Sequence, residues 1–417
     1  TKDSRRTKDS PRTKTQDPRP KDQSAHPPTP TMKAAAITRP WLIVAGDVTP
    51  LGGMDAANHA LVRHLAEAGT EIHVVAHRVW PDLRGLPALT VHDVWRPFGR
   101  HVLGSPILSQ AGHRVWRRGI APRGGCVVVN GGNCAIAGVN WVHYVHAAHA
   151  PTLRSTMSRQ AKAWLAHRRD VAAERAALGS ARLVICNSRR TERDVIERVG
   201  VDPTRVRVVY YGSDPDRFGA VSASQRAAAR RALGRSADRP LVGFIGALGD
   251  RRKAFDTLFD CWTSLCRRAS WDADLIVVGT GAELDRWRQR AKARRLEDRV
   301  VFLGFRSDVP EILAALDGVV HPARYEAYGL SVHEALCRGV PALVTASSGV
   351  AERYPPELGG LLIDDPDDPA ELEERLWLWR RDMESYRARV ASVSETLRQR
   401  SWGAMSQEIV ELVERAA

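Results

Sequence analysis

Apolar and polar positions along the chain repeat a three-part rhythm: an apolar run of strand length, a loop bearing glycine, then apolar residues at helical spacing. The first run, at 41–45, stops at Gly46. A loop carrying Gly52 and Gly53 follows, and Ala57, Leu61, Leu65 and Ala68 then recur every three or four positions, as on one buried helix face. Gly69 ends that helix, and 72–76 predicts the next strand. Strand, helix and strand in this order form a βαβ unit, the repeat of a doubly wound parallel sheet. Further strands are expected at 126–129, 141–145, 183–186 and 206–209.

The rhythm restarts after the turn-rich stretch 211–218, with strands expected at 241–245, 275–278, 300–303, 318–320, 342–344 and 361–363. The fold class is therefore α/β, with two Rossmann-like doubly wound parallel-sheet domains in series. The expected boundaries are a first domain at 32–218, a second at 219–398 and a C-terminal helix at 399–417 that returns to the first domain. Residues 1–31, polar and Pro-rich, have almost nothing to bury and are expected to be a disordered basic tail. Open parallel sheets bind ligands beyond the carboxyl ends of their strands, so a cleft between the two domains is the expected site.

Candidate chemistry concentrates in 324–345, RYEAYGLSVHEALCRGVPALVT. A strand ends near His321, a loop runs through Glu326, and a helix is expected from Gly329 to Arg338, with Gly339 as its stop. The amides of Tyr328, Gly329 and Leu330 would form the positive end of that helix, a seat for a diphosphate. Glu326 and Glu334 flank the seat, where carboxylates can accept hydrogen bonds from sugar hydroxyls. A glutamate near a helix N-terminus is also favoured by about 0.3–1 kcal/mol without any ligand. The wider pattern argues for more than that: acid, glycine, second acid followed by Ala-Leu, and Gly339-Val-Pro341 ahead of a strand.

In this pattern the chain resembles the retaining, GT-B-fold glycosyltransferases of family 4, whose E-x7-E signature matches Glu326 to Glu334. DVTPLGGMDAANHALVRHLAEAG, LVICNSRRTERDV, VVYYGSDPDRF, FIGALGDRRKAFDTL and SSGVAE resemble further family segments in the expected order. The resemblance implies transfer of a hexosyl-type group from a nucleotide-diphosphate sugar to a glycan, lipid-linked or small-molecule acceptor, as in polysaccharide or glycoconjugate biosynthesis. It implies that the donor lies on the second domain and the acceptor mostly on the first. Glu334 would hold the ribose, Glu326 the donor sugar, and the amides of Gly329 and Leu330 the diphosphate. Phe305 and Arg306 would meet the base, and Gly52 and Gly53 would let the backbone approach the phosphates.

Departure of a nucleoside diphosphate leaves negative charge, and Lys253 with Arg252 could neutralise it. The family pattern places an arginine where this chain has Ala247, so Arg251 or Arg252 is left as the candidate substitute. On the acceptor side, strand alternation puts His143 with Trp141 on one face and Tyr144 with His146 on the other. His146 is the first choice for a residue near the donor sugar and His143 the second. No His, Cys or Asp cluster has metal-ligand spacing, so neither a metal nor another cofactor is expected.

The formal net charge of +14 raises a nucleic-acid reading, but no nucleic-acid motif accompanies it, and no such partner is expected. A GT-B epimerase or phosphorylase remains the alternative enzyme class; epimerases lack the paired glutamates, and no cofactor-lysine context for a phosphorylase is present. The six cysteines follow no disulfide or Cys-x-x-Cys pattern, and neither a bilayer-length apolar run nor a signal peptide is visible. A cytoplasmic protein is expected. The basic, partly apolar helix predicted at 154–178 suggests peripheral contact with anionic membrane.

Overall fold

The computed structural model describes residues 39–152, 156–249 and 251–417; the expected tail and Arg154, at the start of the predicted basic helix, lie outside them. Strands assemble into two large sheets in which every pairing is parallel. The first has seven strands in the spatial order Leu89–Asp93, Ile72–Ala76, Trp41–Val44, Cys126–Asn130, Val139–Val142, Leu183–Cys186 and Val206–Val208. The second has six, in the order Val300–Gly304, Asp274–Val278, Leu241–Ile245, Gly318–His321, Ala342–Thr345 and Leu362–Ile363. Helices cover both faces of such sheets, which is why their strands read as continuous apolar runs. All four residues of Trp41–Val44 are buried.

In each sheet the first strand of that half lies inside, with later strands added on both sides. The connections therefore diverge at the carboxyl ends of Trp41–Val44 and Leu241–Ile245, opening a crevice at each point. Gly52 and Gly53 follow the first strand, and Gly246 and Ala247 directly follow the second.

Two local differences from the sequence expectation have physical causes. The strand expected at 141–145 is Val139–Val142 instead, because the chain then leaves the sheet for a short turn at His146–Ala148. The buried carboxylate of Glu174 accepts from the His146 and Ala147 amides at 2.8 and 2.9 Å, and the Val145 amide donates to the Tyr325 hydroxyl at 3.2 Å. Backbone bonds that would extend the strand are thus taken by side chains. The edge strand Leu89–Asp93 and the helix His101–Val115 were not anticipated: the strand is only partly covered, and the helix contains Gly104 and Pro106, which read as breakers.

The second half ends with the helices Pro369–Arg381 and Met383–Gln399, after which the chain crosses back. Ser213 and the 400–402 segment pair there: the Ser213 amide donates to Arg400 at 2.9 Å and the Trp402 amide to Ser213 at 3.2 Å. The last helix, Trp402–Ala416, buries Met405, Ile409, Val410 and Val413 in the core that also holds Leu61, Leu65 and Trp141. All six cysteines are free thiols, five of them buried. Among the described residues no helix is long and apolar enough to cross a membrane.

Ile409→Ala should therefore behave as a first-half core mutation. It is expected to lower the unfolding free energy by about 2–5 kcal/mol in denaturant titration. A loss below about 0.5 kcal/mol would mark the last helix as a surface appendage.

Candidate active site

The loops at the carboxyl ends of the second sheet surround a cavity of about 450 Å³, closed on the other side by Gly52 and Gly53. Phe305, Arg306, Leu330 and Glu334 line it together with Gly246, Ala247, Gly279 and Thr280. Two glycines make this geometry possible. Gly279, at φ +140°, would put a Cβ 1.9 Å from the Gly246 carbonyl oxygen, so only a residue without one lets these two strand-end loops meet. Gly329, at φ +109°, precedes the helix Leu330–Cys337, and a Cβ there would press on Val350 at 3.0 Å and on Glu326 at 3.3 Å.

The predicted residues occupy this region in different ways. Glu334 reaches the cavity wall from the second turn of its helix. Burial pushes its carboxyl up to about 8, with Arg217 pulling weakly the other way. Phe305 is exposed at the cavity rim, and Arg306 pairs with Asp308. The Tyr328 side chain is not at the cavity: it is fully buried, its hydroxyl 2.8 Å from His333, and it packs in the first-half core. Only its main chain remains available to the site.

Glu326 forms the electrostatic centre. Its carboxylate bonds the Lys253 ammonium, lies 2.8 Å from His321 Nε2 and is 4.0 Å from the Arg252 guanidinium. Burial opposes its ionisation, but Lys253, His321 and Arg252 outweigh that and hold it well below the usual carboxylate range. His321 is buried and stays neutral at ordinary pH, because burial and the Lys253 charge lower its pKa. In that state its Nε2–H donates to Glu326, and Nδ1 has no partner among the described residues. His321 was not singled out from sequence; the signal was there, as one polar residue closing the apolar run Gly318–His321.

The cluster stands between two cavities. Lys253 passes beside Gly246 of the first, while Arg252 lies over the ring of Tyr144, 5.6 Å away, in the wall of the second. Arg251 is turned elsewhere, its guanidinium bonded to Asp256 at 2.6–2.7 Å, so of the two candidate substitutes at Ala247 only Arg252 adjoins the site. The second cavity, about 520 Å³, is lined by Asp47, Met54, Asp55, Arg96, His101, Asn130, His143, Tyr144, His146 and Asp170, among others. His143 and His146 therefore share one cavity, which corrects the expectation of opposite faces: the alternation stops with the strand at Val142. His143 is buried and neutral, with Nδ1 2.5 Å from the Tyr211 hydroxyl and Nε2 3.2 Å from the Asn130 amide. His146 is partly exposed on the turn that Glu174 holds.

Among the described residues no group of three or more His, Cys, Asp or Glu side chains is arranged to hold a metal ion. Comparison with known proteins gives matches across both halves. Residues 51–217 match the model described as Glycosyltransferase Family 4, and residues 225–392 that described as Glycosyl transferases group 1. The 2-deoxystreptamine N-acetyl-D-glucosaminyltransferase of Streptomyces fradiae is 34% identical over 195 residues, 45% of either chain, so this chain spans less than half of that relative. The D-inositol 3-phosphate glycosyltransferase of Salinispora tropica is 28% identical over 353 residues, 76% of this chain and 72% of the relative. Among solved structures, the Anabaena protein HepE in complex with UDP and glucose aligns with a TM-score of 0.67 at 21% identity, over 90% of this chain and 99% of that one.

The raised pKa of Glu334 has a consequence for stability. The folded chain holds its proton between the ordinary carboxyl pKa and about 8, where the unfolded chain has lost it, so stability falls as pH rises across that window. Glu334→Gln should flatten this slope and raise the melting temperature of the ligand-free protein at pH 8 relative to the parent. An equal slope in the two proteins would contradict the placement of Glu334.

Proposed function

The chain belongs to glycosyltransferase family 4, and we propose that it transfers a sugar, with retention of anomeric configuration, from a nucleoside-diphosphate donor to a hydroxyl acceptor. The observation that carries this reading is the glycine-walled cavity lined by Glu334, whose Gly246 stands beside Lys253 of the ionised Glu326–Lys253 pair. A nucleoside diphosphate fits the larger part of that cavity: the base against Phe305 and Arg306, the ribose on Glu334, and the diphosphate between Gly52–Gly53 and the amides of Gly329 and Leu330. The neighbour HepE was solved with UDP and glucose, which favours a donor of that class. The sugar would then lie beside Glu326, with its acceptor in the second cavity near His146.

In the transfer step the acceptor oxygen bonds to the anomeric carbon as the bond to the diphosphate oxygen breaks. The hydroxyl proton leaves with the diphosphate, so atoms and charge balance. Charge that grows on the leaving group needs fixed donors in a site sheltered from water, and Lys253 with Arg252 supply them in this reading. A divalent ion is then not required. The acceptor is a glycan, lipid-linked or small-molecule hydroxyl; the two relatives act on a 2-deoxystreptamine and an inositol phosphate.

Thermal-shift screening against UDP-, GDP- and ADP-sugars identifies the donor, because a ligand that binds only the folded state raises its stability. With that donor, Lys253→Ala is expected to lower kcat about 10²–10³-fold, the loss typical of one transition-state donor. Glu326→Ala should also depress turnover severely while circular dichroism stays unchanged. Ala247 is exposed at the cavity, so Ala247→Arg should partly rescue Arg252→Ala. The parent should keep its rate in excess EDTA, and the product should show the donor's anomeric configuration by NMR. Activity lost in EDTA and restored by magnesium or manganese would overturn the cation-only mechanism, and an inverted product would overturn retention.

A further inference from the structure

The charge of the chain is unevenly placed. Between Asp93 and Asp170 there is no aspartate or glutamate, while eleven arginines and lysines fall in residues 94–169. Exposed apolar side chains concentrate in the same span. Among the described residues, seven of the nine large apolar side chains that stand exposed are Trp95, Phe98, Val102, Leu103, Met157, Trp164 and Leu165. The other two, Met54 and Phe305, line the two cavities.

These residues belong to two adjoining elements. Arg169 on the helix Met157–Ser180 donates to the Val102 carbonyl at 2.7 Å, on the first turn of the helix His101–Val115. Leu165 lies one turn before Arg169 on the same helix face. Both elements reach the 520 Å³ cavity, through Arg96, His101 and Ser105 on one side and Asp170 and Ala173 on the other. The exposed apolar residues thus lie on the same two stretches of chain that line that cavity.

Each element buries one face on the body and leaves these side chains uncovered by the described residues. Every side chain from Thr156 to Lys162 is exposed, so the helix begins with its first turn and a half clear of the body. Phe98 is 87% exposed and sits at φ 52°, a left-handed conformation that a bulky residue seldom adopts. Its ring is thus held out into solvent by a turn that disfavours it. Arg100, Arg159, Lys162 and Arg168 are exposed on the same stretches, and Arg168 stacks over Trp164 at 4.8 Å.

We propose that this face docks on an anionic lipid bilayer, with the rings and Met157 in the headgroup region, the cations on lipid phosphates, and the 520 Å³ cavity opening toward the membrane. Apolar side chains interleaved with cations and free of acids complement such a surface. A single-sign patch alone would suit any polyanion; the exposed aromatic and aliphatic groups distinguish the bilayer. The inference rests on the transferase reading only in making the acceptor one that is presented at a membrane.

Co-sedimentation of the full chain with phosphatidylcholine vesicles, with and without about one-third phosphatidylglycerol, tests the proposal at near-physiological salt. Binding is expected with the anionic vesicles and to be at least about tenfold weaker with neutral ones. The triple variant Trp95→Ser, Phe98→Ser, Leu165→Ser and, separately, Arg159→Gln, Lys162→Gln, Arg168→Gln should each reduce binding at least about tenfold, since both groups contribute. These residues are exposed, so both variants should keep the parent's melting temperature and its hydrolysis of free nucleotide sugar. Absence of binding, equal binding to both vesicles, or binding unchanged in the variants would overturn the proposal. So would light scattering that shows a dimer which the serine variant splits, because the face would then join two copies of the chain. Vesicle binding does not depend on turnover, so its failure would leave the donor reading intact, and loss of donor binding would leave the membrane result intact.

Discussion

A carboxylate buried between two domains stays ionised only if fixed cations hold it there, and in this protein Lys253, with Arg252 behind it, does so for Glu326. Removing a charge from water costs several kcal/mol, and an opposite charge at close range offsets that cost. The arrangement is chemically specific. The anion and its cations lie where two strand-end loops, a helix N-terminus and the first-half turn at 143–149 converge. An ion pair of that kind, beside a cavity, is a centre at which charge can appear and disappear without reorganising the fold.

The sheets explain why that centre is where it is. In both halves the inner first strand sends its loop into the crevice where neighbouring connections diverge, and loops from both halves line one cavity. Close approach of backbone then depends on Gly279 and Gly329, where a Cβ would collide with Gly246 or with Val350 and Glu326. The turn at 146–148 is fixed from both sides, by Glu174 in the first half and by Tyr325 in the second through the neighbouring Val145 amide. The wall of the 520 Å³ cavity is thereby tied to the loop that carries Glu326.

Much of this was legible in the sequence because parallel strands buried on both faces leave unbroken apolar runs, and glycine marks their ends. Strands 72–76, 183–186 and 241–245 coincide with the structure at both ends. The paired glutamates and the helix after Gly329 were legible for the same reason: local spacing states them. What the sequence hid depended on contacts far along the chain. The strand at Val139 ends early because Tyr325, 180 residues away, takes the Val145 amide. His321 appeared only as a strand end until Glu326 and Lys253 were placed against it. The helix at 101–115 was masked by its own glycine and proline, and the commitment of Arg251 to Asp256 has no local signature.

The central claim is that Glu326, Lys253 and Glu334 surround one nucleotide-sugar site between the two halves. Its most direct test is a crystal structure of the protein with a nucleoside diphosphate bound. The account predicts diphosphate density between Gly52–Gly53 and the amides of Gly329 and Leu330, the Lys253 ammonium within hydrogen-bond distance of a phosphate oxygen, and the ribose on Glu334. Nucleotide density in the 520 Å³ cavity, or against the basic outer face of the first half, would contradict it.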